Sequence, residues 1–159
     1  MRILITGGAG FIGQSLAQAL TPTHEVMALD LLSSQVHADP ETAEARFPGD
    51  VLRGDVSDVD AWARCGKPDA VVHLAAETGT GQSMYEQGRY RLVNVDGTRR
   101  AADAARAWGV PLVAMSSRAV YGNGRFACPE HGDSYGEPCC TLAEPAASRE
   151  SDPYHPVSV

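Results

Sequence analysis

Lysine is almost missing from this chain: of its 13 basic Lys and Arg side chains, Lys67 is the single lysine. Cysteine is scarce as well. The four present (Cys65, Cys128, Cys139 and Cys140) are too few for a disulfide scaffold in 159 residues. No apolar run reaches membrane-spanning length, and segments 70–76 and 110–115 are only strand-length. Positive charge is in the minority, with 13 basic against 20 acidic residues and a net charge of −7. Such a chain has no general attraction to phosphate backbones or anionic membranes, so neither nucleic acid nor membrane is expected as a partner. The N-terminal run Met-Arg-Ile-Leu-Ile-Thr is cut short by glycines and is no signal peptide. A cytoplasmic setting with reduced thiols is therefore expected.

What is present is ordinary globular material, 43% hydrophobic and 21% charged, in a length typical of one domain. Short apolar runs alternate with amphipathic stretches. Arg2–Thr6, Glu25–Asp30, Asp50–Gly54, Asp69–Ala76 and Val110–Ser116 read as strands. Phe11–Leu20 has helical spacing, with Phe11, Leu16, Ala19 and Leu20 available for one side. Asp58–Cys65 is a short helix behind a Ser57/Asp58 start signal, and Met84–Trp108 is a long one ended by Gly109 and Pro111. Alternating strands and helices imply an α/β fold of βαβ units with a parallel sheet, five strands being present. Residues 1–121 form that domain. After Tyr121 the pattern is lost, and residues 122–159, with five prolines and three cysteines, read as a long loop insert.

The strongest local signal is Thr6-Gly7-Gly8-Ala9-Gly10-Phe11-Ile12-Gly13, between a strand and a helix. Gly8-x-Gly10-x-x-Gly13 fits the dinucleotide fingerprint. One glycine permits the tight turn, one a close approach to a diphosphate, and one the packing of helix on strand. The exposed N–H groups of the turn and the helix dipole would then hold the anion, which is how an acidic protein can bind one. A phosphate-binding P-loop is disfavoured because Gln14 stands where its lysine is needed. Asp30 ends the second strand, where a carboxylate accepts from the adenosine ribose. It is followed by Leu31 and Leu32 instead of arginine, which favours NAD over NADP.

These blocks resemble the extended short-chain dehydrogenase/reductases of the NAD-dependent epimerase/dehydratase family, which act on nucleotide sugars. The matching blocks are TGGAGFIG (6–13), Asp30, GDV (54–56), HLAA (73–76), NVDGT (94–98) and SSRAVYG (116–122), in family order. SSRAVYG, the GQS at 81–83 and the Cys-Pro-Glu-His-Gly at 128–132 resemble a dTDP-L-rhamnose 4-epimerase-like branch. The resemblance implies a Rossmann-like doubly wound parallel sheet with its five strands in order 3-2-1-4-5, and NAD as cofactor, held by Gly7, Gly10, Phe11, Ile12, Gly13 and Asp30. Asp55 and Val56 would lie at the adenine, Leu74, Ala75 and Ala76 would line the cofactor, and Asn94 would support the site. It implies Ser117 as the active-site hydroxyl, and Thr78, Ser83 and Tyr121 near the sugar. His73 is expected to be packed in its strand.

The family's Tyr-x-x-x-Lys pair, which supplies the general base, is absent: no tyrosine here has a lysine four residues on. The final segment, Asp152–Val159, resembles the stretch just before that tyrosine. The expectation is an N-terminal portion lacking the C-terminal strands and substrate lobe, inactive alone and weak for nucleotide sugar. Its fifth strand would be an exposed edge, and the family's homodimer interface would be incomplete. The alternatives are a non-catalytic NAD-binding module and a non-functional truncation product. Cys128-x-x-His131-x7-Cys139-Cys140 offers four zinc ligands, but the irregular spacing and adjacent cysteines favour a loop with free thiols. No metal site is assigned.

Overall fold

The computed structural model describes residues 1–154; the last five, including part of the family-like C-terminal segment, lie outside the described residues. The chain divides into two compact units, 1–115 and 116–159.

The first unit is a parallel sheet. Its strands are β1 (Arg2–Thr6), β2 (Glu25–Asp30), β3 (Asp50–Arg53), β4 (Ala70–His73) and β5 (Leu112–Ala114), in order β3-β2-β1-β4-β5. The sequence of β1 shows why it lies at the centre. Ile3, Leu4, Ile5 and Thr6 are all buried, as a strand covered on both faces must be. Alternate residues serve opposite layers. Leu4, Met27, Leu29 and Val71 pack on one face with α3 (Val59–Cys65) and α6 (Thr98–Trp108), through Ala61, Trp62, Cys65, Ala101 and Ala105. Ile3, Ile5, Val26 and Ala28 pack on the other with Ala17 of α1 (Phe11–Leu20) and Phe47. This is the doubly wound architecture, in the expected strand order. Among the described residues β5 pairs only with β4, and Val113 on it is exposed, so it is a sheet edge.

Several elements differ from the sequence reading. Phe11 does not face the core; it is 90% exposed, and Ala19 is exposed too, while Gly13 and Ala17 are the buried side of α1. A helix α2 (Pro40–Ala45) is capped by Asp39, whose side chain accepts from the N–H groups of Glu41 and Thr42. The Asp-Pro start signal was there to be read. The long helix over 84–108 is broken into α5 (Gln87–Arg91), a π-helical turn (Leu92–Gly97) and α6, and a short α4 (Thr80–Ser83) precedes it. Gly109, at φ 69°, closes α6 in the left-handed conformation.

The second unit corrects the loop expectation for 122–159. Arg125–Cys128 (β6), Gly132–Tyr135 (β7) and Glu144–Ala146 (β8) form an antiparallel sheet in order β7-β6-β8. These strands are three or four residues long and carry Gly, Asp, Ser and Pro, so no apolar alternation betrays them. Their organiser is Arg125. Buried, it donates from Nε (3.2 Å) and Nη2 (3.1 Å) to the Ala147 carbonyl and from Nη1 to Asp133 (2.9 Å), with Asp152 at 4.0 Å.

Candidate functional site

The glycine turn begins where β1 ends. The Gly7 N–H donates to the Leu29 carbonyl (2.9 Å) and the Gly10 N–H to the Gly7 carbonyl (3.1 Å). Gly7 sits at φ 67°, and a Cβ there would meet the Ala75 backbone nitrogen at 2.8 Å. A Cβ at Gly13 would meet the carbonyl oxygens of Gly7 and Gly8, each at 2.5 Å, so glycine is what lets α1 pack this closely on the turn. Gly10 is the N-cap of α1 and provides no side-chain cap. The N–H groups of the first turn, beginning with Phe11 and Ile12, have no intrahelical acceptor and carry the positive end of the helix dipole.

Asp30 is buried at the end of β2. Its Oδ2 accepts from the Ala9 N–H (3.0 Å) and its Oδ1 from the Leu32 N–H (2.8 Å). One carboxylate thus ties the glycine turn to the strand end and keeps lone pairs for a further donor. Leu32, at φ 52°, is the only non-glycine residue with positive φ among the described residues, and the bond from its N–H to Asp30 helps hold that strained conformation. His37 Nε2 lies 3.9 Å from Asp30 Oδ1.

Across from Asp30 runs the segment after β4. His73 is buried, and burial holds its imidazole below the usual histidine range. Thr98 Oγ1 donates to the Asn94 carbonyl (2.7 Å), so at 3.1 Å it accepts from His73 Nε2. His73 Nδ1 then accepts from the Thr6 hydroxyl (2.7 Å), and Thr6 Oγ1 accepts in turn from the N–H groups of Leu74 and Ala75, both at 3.2 Å. Every group in this chain is satisfied with neutral His73, in keeping with a packed histidine. Asn94, on the π-helical turn, clamps Glu77: its Oδ1 accepts from the Glu77 N–H (2.8 Å) and its Nδ2 donates to the Glu77 carbonyl (3.0 Å).

A cleft lies between these walls. Gly7, Gly10, Asp30, Val56, Leu74, Ala75, Ala76 and Thr78 line it, eight of the residues singled out from sequence. Phe11, Ile12 and Gly13 continue from its glycine edge into α1, and Asn94 stands behind Glu77. Asp55 is not in the lining; its carboxylate accepts from the Ser57 N–H and hydroxyl, both at 2.8 Å. Val56 is buried in the lining, and its carbonyl accepts from Trp62 Nε1 (2.7 Å). Ser83 ends α4 and is half-buried. In the second unit, Ser117 caps the single 3₁₀ turn Arg118–Tyr121 by accepting from the Ala119 N–H (3.1 Å). Tyr121 stacks edge-on against Tyr154 at 5.9 Å.

Sequence reasoning missed several lining residues, among them Ser33, Val36, His37 and Glu77. Glu77 is paired with Arg89 of α5 (2.9 Å from Nε), and Tyr90 donates to the carbonyls of Thr78 (2.9 Å) and Gly79 (3.0 Å). A polar triplet Glu77, Arg89 and Tyr90 around the predicted helix start was the available signal.

A sequence model of the NAD dependent epimerase/dehydratase family matches residues 3–147. The chain belongs to this family. It is 41% identical over 133 residues to the dTDP-L-rhamnose 4-epimerase of Burkholderia thailandensis, covering 79% of this chain and 37% of that protein. It is 38% identical over 127 residues to the UDP-glucose 4-epimerase of Mycolicibacterium smegmatis, covering 77% and 41%. Among solved structures, the UDP-glucose-4-epimerase of Stenotrophomonas maltophila, which holds NAD and formylated UDP-arabinopyranose, superposes with TM-score 0.65 at 30% identity, over 83% of this chain and 42% of that one. The chain therefore spans about two fifths of the length of these relatives. No helix among the described residues is long and apolar enough to cross a membrane.

Proposed function

We propose that residues 1–115 bind NAD and that the chain is the cofactor-binding part of a nucleotide-sugar epimerase or dehydratase working in the cytoplasm. The observation that carries this is the pairing of an uncapped α1 N-terminus at the glycine turn with Asp30, bonded to that turn and lining the same cleft. The two features suit the two polar parts of an adenine dinucleotide. The amides of the glycine turn and of Phe11 and Ile12 hold the diphosphate. Asp30, fixed by Ala9 and Leu32, accepts from the adenosine ribose hydroxyls; a phosphate there would meet like charge, which disfavours NADP. Val56, Leu74, Ala75 and Ala76 give the apolar walls, while Thr6, His73 and Asn94 keep the floor in place. NAD, when bound, supplies a hydride acceptor for a sugar carbon. Ser117 is the proposed hydroxyl at the reacting centre, and Thr78, Ser83 and Tyr121 the sugar contacts. Asp55 retains its proposed place at the adenine edge through its backbone.

A second reading is a dinucleotide-binding module; within the 159 residues no Tyr-x-x-x-Lys pair supplies a general base, so these residues alone are expected to bind without turnover. Calorimetric titration of the chain with NAD and with NADP tests the binding, and coupled epimerase and dehydratase assays test the chemistry. Expected are saturable NAD binding, weaker NADP binding, and no turnover until the C-terminal half of a family member is joined on. Absence of NAD binding at millimolar concentration removes both readings. Turnover by the 159 residues alone removes the account of the missing base.

A further inference from the structure

The second unit has almost no interior. Among its described residues only Arg125, Cys128 and Asp152 are buried, and Cys128 is the sole apolar one. A unit this small lacks the hydrophobic burial to hold itself and ordinarily needs a covalent or metal staple.

At the end of its hairpin, four side chains with soft or borderline donor atoms meet. Cys128 ends β6, His131 lies in the β6–β7 turn, and Cys139 and Cys140 lie in the bend between β7 and β8. His131 Nδ1 is 3.4 Å from Cys128 Sγ, 3.8 Å from Cys139 Sγ and 3.7 Å from Cys140 Sγ. Cys140 Sγ is 3.7 Å from Cys128 Sγ and 4.0 Å from Cys139 Sγ, and all four ligand atoms lie within 4.8 Å of one another.

These distances have a meaning. A tetrahedral zinc ion with bonds of about 2.3 Å to sulfur and about 2.0 Å to nitrogen sets its ligands about 3.8 Å apart for sulfur–sulfur and about 3.5 Å for sulfur–nitrogen. The observed spacings bracket both values. A disulfide needs sulfurs about 2.05 Å apart, so none of these contacts is one. Apolar packing does not explain the cluster either, since Cys139 and His131 are exposed.

We propose that Cys128, His131, Cys139 and Cys140 bind one Zn²⁺ ion as a closed structural site. Four protein ligands leave no position for water or substrate, so the ion staples the hairpin to the Cys139–Cys140 bend and takes no part in chemistry. The three thiols ionise on binding and release their protons to solvent, giving a site of net charge −1. The adjacency of Cys139 and Cys140, which argued against zinc from spacing alone, is accommodated because the bend turns both sulfurs toward the same nitrogen.

The test uses the whole chain, purified without chelator, equilibrated with zinc chloride under reducing conditions and freed of loose metal by gel filtration. Elemental analysis is expected to give one zinc per chain. Replacement by cobalt chloride is expected to give the visible bands of tetrahedral cobalt with thiolate-to-cobalt charge transfer. Cys128→Ser and Cys140→Ser are expected to lose the metal, and Cys65→Ser to keep it. A chain without zinc, a cobalt spectrum of octahedral type, or half a zinc per chain overturns the proposal. The stoichiometry and spectrum come from the unaltered chain, so a variant that fails to fold does not blunt the test. NAD titration of the same samples keeps failure here separate from failure of the cofactor reading.

Discussion

The two units solve the same problem, holding a small sheet together, by opposite means. Residues 1–115 place apolar side chains on both faces of five parallel strands, and helices cover them. Residues 116–154 set a buried arginine against a carbonyl and two carboxylates, with a cluster of thiols and an imidazole at the hairpin end. Apolar burial is non-directional and tolerates changes that conserve volume, whereas a buried cation fails as soon as one partner is withdrawn. The lesson is that the first unit should break by steric insult and the second by loss of a charge.

The largest expected effect is Gly13→Ala. The new methyl meets two carbonyl oxygens that belong to the turn itself, so backbone must move. A loss of about 3 kcal/mol or more is expected in urea unfolding followed by circular dichroism. Hydrogen exchange in 125–146 should be unaltered; equal loss of protection there would erase the contrast between the units. Next comes Arg125→Met, which removes the cation and leaves Asp152 buried without it. Protection of the β6–β8 amides is expected to fall by about 2 kcal/mol, less than for a fully enclosed pair because Asp133 is partly in solvent. The amides of β1 should be untouched, and a drop in both units would show that Arg125 is no local organiser.

The smallest effect sharpens the comparison by pH. Burial lowers the pKa of His73 in the folded chain, while the unfolded chain keeps a value near 6.5. Below about pH 6.5 the unfolded state takes up a proton that the folded state refuses, so stability falls as pH falls toward the folded pKa. Melting temperature measured from pH 7.5 down to 5 should decline more steeply for the natural chain than for His73→Gln. Parallel curves would mean that His73 is protonated in the folded state and that the Thr6–His73–Thr98 assignment of protons is wrong.

These contrasts also explain what was legible beforehand. The strands, the glycine turn and Asp30 follow from dense apolar runs and from backbone demands that only particular residues meet, while the strand order came with the family resemblance. Ile3–Ile5 and Gly7–Gly13 carry such signals in the chain itself. The second unit could not be read that way, because β6–β8 are short and polar and their organiser, Arg125, acts on partners 8, 22 and 27 residues away. The break in the long helix was hidden for a related reason: the π-helical turn carries Asn94, which reaches back to Glu77, a contact that helical periodicity does not contain. Phe11 failed as a core residue because apolar character was counted without regard to its place at the first helical position beside an open cleft.

The hydrogen-bonded chain from Ala75 through Thr6, His73 and Thr98 to Asn94 has a consequence for binding entropy. Its backbone amides, hydroxyls and imidazole already have their partners, and the far end is anchored in a helix. The floor of the cleft is therefore a finished surface. A ligand that settles on it has little protein motion left to freeze, and the affinity it gains from contact is not eroded by ordering the wall it touches.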